Sequence, residues 1–158
     1  MEFSKGKIGR IFVLRLHHKE HVPEAVETFA AKHKISNALC FLIGGVSENS
    51  RIVVGPETSE AMPVTPMTLQ LGGVHEASAI GTIFADEEGK PKLHMHAALG
   101  RSDKGKVGCI RTGIEIWQTG EIVILELANV TACRTKDAET GFETLKTTMK
   151  NPRIIKGE

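Results

Sequence analysis

The stretch Lys92-Leu93-His94-Met95-His96-Ala97-Ala98-Leu99-Gly100 decides how this chain is read. It has the alternation of a β-strand, whose successive side chains point to opposite faces. Leu93, Met95 and Ala97 therefore share one face, and His94 and His96 share the other. Residues two apart on a strand are roughly 6.6 Å apart at the backbone, close enough for both rings to lean onto one ion at about 2 Å. The pair is a candidate metal site. The alternative is two histidines on a partly exposed strand, hydrogen-bonded to neighbours or water. Zinc takes three or four protein ligands, so further donors must come from elsewhere in the chain.

Outward from this strand, residues 77–84 and an acidic turn at 85–91 precede it, and the two strands are expected to form an antiparallel hairpin. Downstream, the turn Ser102-Asp103-Lys104-Gly105 leads into a strand over 107–117, and Thr119-Gly120 into another over 121–127. This succession predicts a four-stranded meander paired in sequence order. Upstream, residues 9–16 read as a first strand and His17-His18-Lys19-Glu20-His21 as a solvated turn. Pro23 then opens a helix with Glu24 and Glu27 near its positive end. Val22, Val26, Phe29 and Ala30 recur at helical spacing, so the helix runs to about Lys34, with His33 structural near its end. Residues 37–43 read as a buried strand with Cys40 in the core, ending at Gly44-Gly45. A short strand at 50–54, a proline-containing loop at 55–66 and a weak strand at 67–74 follow. Residues 137–145 read as a helical turn with Phe142 and Leu145 packing back, and the basic end as loose.

Bulk composition bounds the function. A length of 158 residues suits one domain. A net charge of +1 provides no strong field toward nucleic acid or anionic membrane. No apolar run has the length to span a bilayer, and residues 1–7 lack the apolar segment of a secretory signal, so the expected compartment is the cytoplasm, with no membrane partner. Cys40, Cys109 and Cys133 are odd in number and widely spaced, which fits free thiols in a reducing compartment. With no Tyr, one Trp and six Phe, stacking platforms for single-stranded nucleic acid are scarce.

The succession Gly81-Thr82-Ile83-Phe84, Gly89-Lys90-Pro91, Leu93-His94-Met95-His96-Ala97, Leu99-Gly100 and Gly108-Cys109-Ile110-Arg111-Thr112-Gly113 resembles the plants-and-prokaryotes-conserved (PPC) domain. That domain accompanies AT-hooks in plant nuclear proteins and stands alone in bacteria and archaea. The likeness runs from about Gly9 to Arg134, leaving residues 1–8 as an N-terminal extension and 135–158 as a C-terminal turn or helix with a loose basic tail. The resemblance implies an α/β (α+β) single domain: a bent, mainly antiparallel sheet with one or two packed helices. It also implies a homotrimer, and a metal site held by the histidine pair plus a histidine on the next strand. The position matching that third histidine is Cys109. A thiolate is an equally good ligand for zinc or another divalent transition metal.

Register decides whether Cys109 can serve. If Asp103-Lys104 is a two-residue loop, Cys109 falls opposite Ala98 on the histidine face; one residue more turns it away. His75 is the other candidate, well down the neighbouring strand or reaching in from another subunit. Arg111, two residues past Cys109, would favour an anionic ligand such as a carboxylate or phosphate, and its alternative is a salt bridge to Glu115 or Asp103. No nucleophile and base identify a reaction, so catalytic residues stay unassigned. The leading expectation is a zinc-binding homotrimer that takes a small anionic ligand. The alternatives are a DNA-binding regulatory protein and an assembly or interaction module. Against DNA stand the net charge, the lack of an Arg-Gly-Arg-Pro tetrapeptide, and a basic stretch limited to Lys146, Lys150, Arg153 and Lys156.

Overall fold

Period-two alternation of apolar side chains runs through most of the chain, and the structure, a computed structural model describing residues 1–147, turns it into strands. The elements are β1 (Lys7–His17), β2 (His21–Val22), α1 (Glu24–Lys32), β3 (Asn37–Val46), β4 (Arg51–Pro56), β5 (Pro66–Gln70), β6 (His75–Ala85), β7 (Pro91–Arg101), β8 (Lys104–Cys109), β9 (Ile114–Ala128), β10 (Ala132–Lys136) and β11 (Glu143–Thr147). Nine strands form one sheet in the order β1-β9-β3-β6-β7-β8-β4-β5, with β2 against β9, while β10 and β11 pair as a separate hairpin. The mainly antiparallel sheet and single domain agree with expectation, but the sheet dominates more than an even α/β build would. Among the described residues α1 is the one helix.

One face of the sheet is the core. Cys40 and Leu42 of β3, Ile83 of β6, Met95 and Leu99 of β7, and Ile122 and Ile124 of β9 pack there against Val26 and Ala30 of α1. Glu24 and Glu27 sit in the first turn of α1, after Pro23. His33 closes the helix and stacks on Phe29 with ring centroids 4.2 Å apart.

The opposite face corrects the reading of residues 37–43 as a wholly buried strand. Phe41 and Ile43 are exposed there, because the apolar run supplies two apolar faces and this chain covers only one. Cross-strand register aligns Val13, Val123, Phe41, Ile80, His96 and Cys109 in a row spanning six strands on that face.

The expected meander stops after three strands, β6, β7 and β8. Residues 107–117 are not one strand: β8 ends at Cys109, and in the turn that follows Gly113 (φ 90°) donates its N–H to the carbonyl of Ile110 at 2.9 Å. Nor is Thr119-Gly120 a turn. β9 continues through it as a bulge opposite Gly44 (φ 141°), where a Cβ would lie 2.5 Å from the carbonyl oxygen of Thr119. β9 therefore leaves β8 and runs between β1 and β3, and β4 pairs with the far side of β8 through Val53 and Cys109.

The helical turn expected at 137–145 is instead the β10–β11 hairpin. Asp137 Oδ1 accepts hydrogen bonds from the Thr140 N–H and Oγ1, each at 2.8 Å, and Gly141 (φ 74°) reverses the chain, so the segment closes as a turn and returns as a strand. The tail expected to be loose, residues 148–158, lies outside the described residues.

Candidate metal centre

β7 places its side chains as the alternation requires: Leu93 and Met95 are buried, and His94 and His96 face outward. The two rings meet edge-on, with Nε2 of His96 3.2 Å from Nε2 of His94. Two nitrogens bound to a tetrahedral zinc at about 2.05 Å would be about 3.3 Å apart, so the pair already has the spacing of a chelate.

The third candidate donor comes from β8. Arg101 pairs with Lys104, so the hairpin loop is Ser102-Asp103 rather than Asp103-Lys104. Ser102 carries the positive φ, 54°, that a tight hairpin of this length demands. The register differs by two residues from the one considered from sequence, which preserves the face. Cys109 thus lies opposite His96 itself, not Ala98, and one ligand atom from each of His94, His96 and Cys109 falls within 4.8 Å of the others. Cys109 is buried and unpaired with any other cysteine.

Local electrostatics favour the neutral form of one of these side chains. His94 is held below the ordinary imidazole pKa, first by desolvation and then by the positive charge of Arg134, by His96 and by Arg111. A neutral imidazole offers the lone pair that a cation needs. The set of two imidazoles and one thiol suits zinc in kind, and three protein donors would leave a tetrahedral ion one position for another ligand.

His75 is not brought to this cluster. It faces the core, with Nδ1 2.8 Å from the carbonyl oxygen of Gly73 and Nε2 3.3 Å from Nζ of Lys106. The β6 residue opposite His96 is Ile80, which leaves His75 five positions, roughly 16 Å, along the strand. Arg111 does not continue the strand of Cys109 but occupies the turn after it. Among the described residues it makes no ion pair with Glu115 or Asp103. Its guanidinium lies 5.1 Å from the ring centroid of Phe142.

Arg111 and His94 share the wall of a cleft of about 740 Å³ with a residue that sequence reasoning missed, Arg134. Arg134 is only 6 % exposed. Its Nη2 donates to Oγ1 of Thr82 at 3.1 Å, and its Nε has no hydrogen-bond partner among the described residues. Thr82 is the β6 residue opposite His94. The only signal in the sequence was the alternation Cys133-Arg134-Thr135, which gives a strand but not which face it buries.

The family model described as the Plants and Prokaryotes Conserved (PCC) domain matches residues 3–128. None of the curated proteins matches the sequence. Among solved structures, a metal-containing protein from Archaeoglobus fulgidus superposes with a TM-score of 0.79 at 23% identity, over 91% of this chain and 98% of that one. A plant- and prokaryote-conserved protein from Pyrococcus horikoshii gives 0.76 at 24% identity, over 92% and 99%. A protein from Bacteroides thetaiotaomicron, provisionally described as DNA-binding, gives 0.69 at 18% identity, over 92% and 99%. At these identities the likenesses speak to the fold.

Proposed function

Since this chain belongs to the Plants and Prokaryotes Conserved domain family, we propose that it is a metal-binding homotrimer in which His94, His96 and Cys109 hold zinc, or another divalent transition metal, beside a cleft that takes a small anionic ligand. The observation that carries the reading is the convergence of three donors of suitable chemistry, two from β7 and one from its hydrogen-bonded neighbour, within 4.8 Å. Ligands held on paired strands of one sheet are positioned more rigidly than ligands on loops. When bound, such an ion supplies a Lewis-acidic position facing solvent. The chain's own contribution is to favour the neutral form of His94 and to place Arg111 and Arg134 on the adjoining cleft, where an anion would be drawn.

The trimer is supported by the outer face. Val13, Phe41, Ile43, Ile80 and Val107 are all exposed there and belong to adjacent rows of one register, an apolar patch of the kind that monomers seldom leave in water. Copies of the chain packed through this patch would bring the metal centre close to the subunit boundary. A cytoplasmic location is supported by three free cysteines; no helix among the described residues is long and apolar enough to cross a membrane.

DNA binding is the competing reading, prompted by the description of the Bacteroides relative. A net charge of +1 leaves it little of the electrostatic term that dominates such affinity. Elemental analysis of protein purified without an affinity tag separates the two. The expected result is one zinc per chain, lost in His94→Ala/His96→Ala, and no salt-sensitive shift of duplex DNA. Equal metal in the wild type and the folded double variant would refute the centre.

A further inference from the structure

The cleft beside the metal centre has a wall outside the family match. The β10–β11 hairpin spans residues 132–147, beyond the matched residues 3–128; it docks on β6 through Arg134 and Thr82 and brings Arg134 and Phe142 to the cleft that His94 also lines. We infer that this cleft binds an amphipathic carboxylate, its carboxyl group held by Arg134 and Arg111 and its apolar body lying against Phe142, Leu145 and Pro23. The inference rests on the reading that the site takes an anion, and names the class of that anion.

The buried guanidinium is the first argument. Burying a cation without a contacting counter-ion is costly, and among the described residues Arg134 has no carboxylate within 4.0 Å; Glu143, on the same cleft wall, acts on it only at longer range. Its sole hydrogen bond there goes to the neutral hydroxyl of Thr82, which leaves the Nε edge unmatched. A carboxylate offsets that charge, and its two oxygens suit the planar fork of an arginine.

Phosphate fits less well. The end of α1 at this cleft contributes no N–H from Pro23 and brings the carboxylate of Glu27, which repels a phosphate dianion more than a singly charged carboxylate. Glu27 is engaged in accepting the Leu93 N–H at 2.8 Å. The volume of about 740 Å³ is that of a small-molecule site and is wide for a bare anion. The side chains of Phe142, Leu145 and Pro23 would be in contact with a hydrocarbon or aromatic body rather than with charge.

Calorimetric titration with phenylacetate, hexanoate, the neutral analogue phenylacetamide and inorganic phosphate tests this on the full chain, with zinc and after chelation. At least one acid is expected to bind, with phenylacetamide and phosphate weaker by about tenfold or more. Arg111→Gln and Arg134→Gln should each weaken the acid by about tenfold, and Arg134→Lys by less. Arg111 is exposed, so its variant keeps the test decisive if Arg134→Gln fails to fold. Equal binding of phenylacetate and phenylacetamide, undiminished binding in the folded arginine variants, or binding of phosphate alone would overturn the inference. Phosphate binding alone would leave the anion reading standing. If neither acid nor phosphate binds, both fall.

Discussion

Cys109 lies directly across the β7–β8 ladder from His96, so the thiol reaches the histidine pair through a cross-strand contact rather than through a flexible loop. Cobalt(II) reports on that contact, because a thiolate bound to cobalt absorbs intensely in the near ultraviolet and an imidazole does not. The protein loaded with cobalt is expected to show this band, and Cys109→Ser to lose it while keeping a weaker visible spectrum from His94 and His96. Affinity should fall at least as far as the roughly 10–100-fold seen when an outer hydrogen-bond partner of a metal ligand is removed. An unchanged spectrum in Cys109→Ser would remove the thiol from the site.

The apolar outer face predicts its own disruption. Val13 is 78 % exposed and Ile80 55 % exposed in the single chain, so charges at these positions cost the isolated fold little. Placed in an interface, the same charges would be desolvated without partners. The wild type should therefore scatter light as three times the 17.2 kDa chain, and Val13→Glu/Ile80→Glu as one, with similar circular dichroism. A wild type of single-chain mass would refute the trimer.

The parts of this site that were legible in the sequence are those that need no distant partner. Period two alone separates His94 and His96 from Leu93 and Met95. Pairing partners are another matter, because they depend on residues far apart in the chain. The bulge that carries β9 past Thr119-Gly120 needs Gly44 opposite it, and nothing near Gly120 says so. The register of Cys109 turned on which two residues make the loop, and both Ser102-Asp103 and Asp103-Lys104 have acceptable turn chemistry. Arg134 stayed invisible for a related reason. It sits in a polar segment, and only the docking of its hairpin on Thr82 buries it.

A further expectation concerns acid. The side-chain hydrogen bonds from Arg10 to Glu126, both 2.7 Å, reinforced by the Arg10 backbone N–H at 3.0 Å, hold the Glu126 carboxyl down to about 2. Its folded value lies below its unfolded one, so the pair contributes stability above the ordinary carboxylate range and loses it as pH falls toward about 2. Solvent around Arg10 screens the pair and keeps the effect small. In urea unfolding, Glu126→Gln should be less stable than wild type near neutral pH, with the difference closing by about pH 2. A difference that persists or widens in acid would show that something other than this carboxylate is responsible.

Gly81 joins the fold to the site. It lies on the core face of β6 opposite Met95, and a Cβ there would sit 2.5 Å from Cβ of Met95 and 2.7 Å from the carbonyl oxygen of His94. Neither neighbour is the free end of a flexible chain, so Gly81→Ala has to push β7 away from β6. Overpacking of this kind costs about 1–3 kcal/mol. The strand displaced is the one that carries both imidazoles, so the variant should lose metal affinity along with stability, although it touches no donor. Ala79→Gly provides the contrast two residues along the same buried face: it should also lower stability, by loss of packing and strand propensity, yet leave β7 in place and the metal affinity near that of wild type. Equal losses of metal affinity in the two variants would mean that the centre follows global stability and not the position of β7.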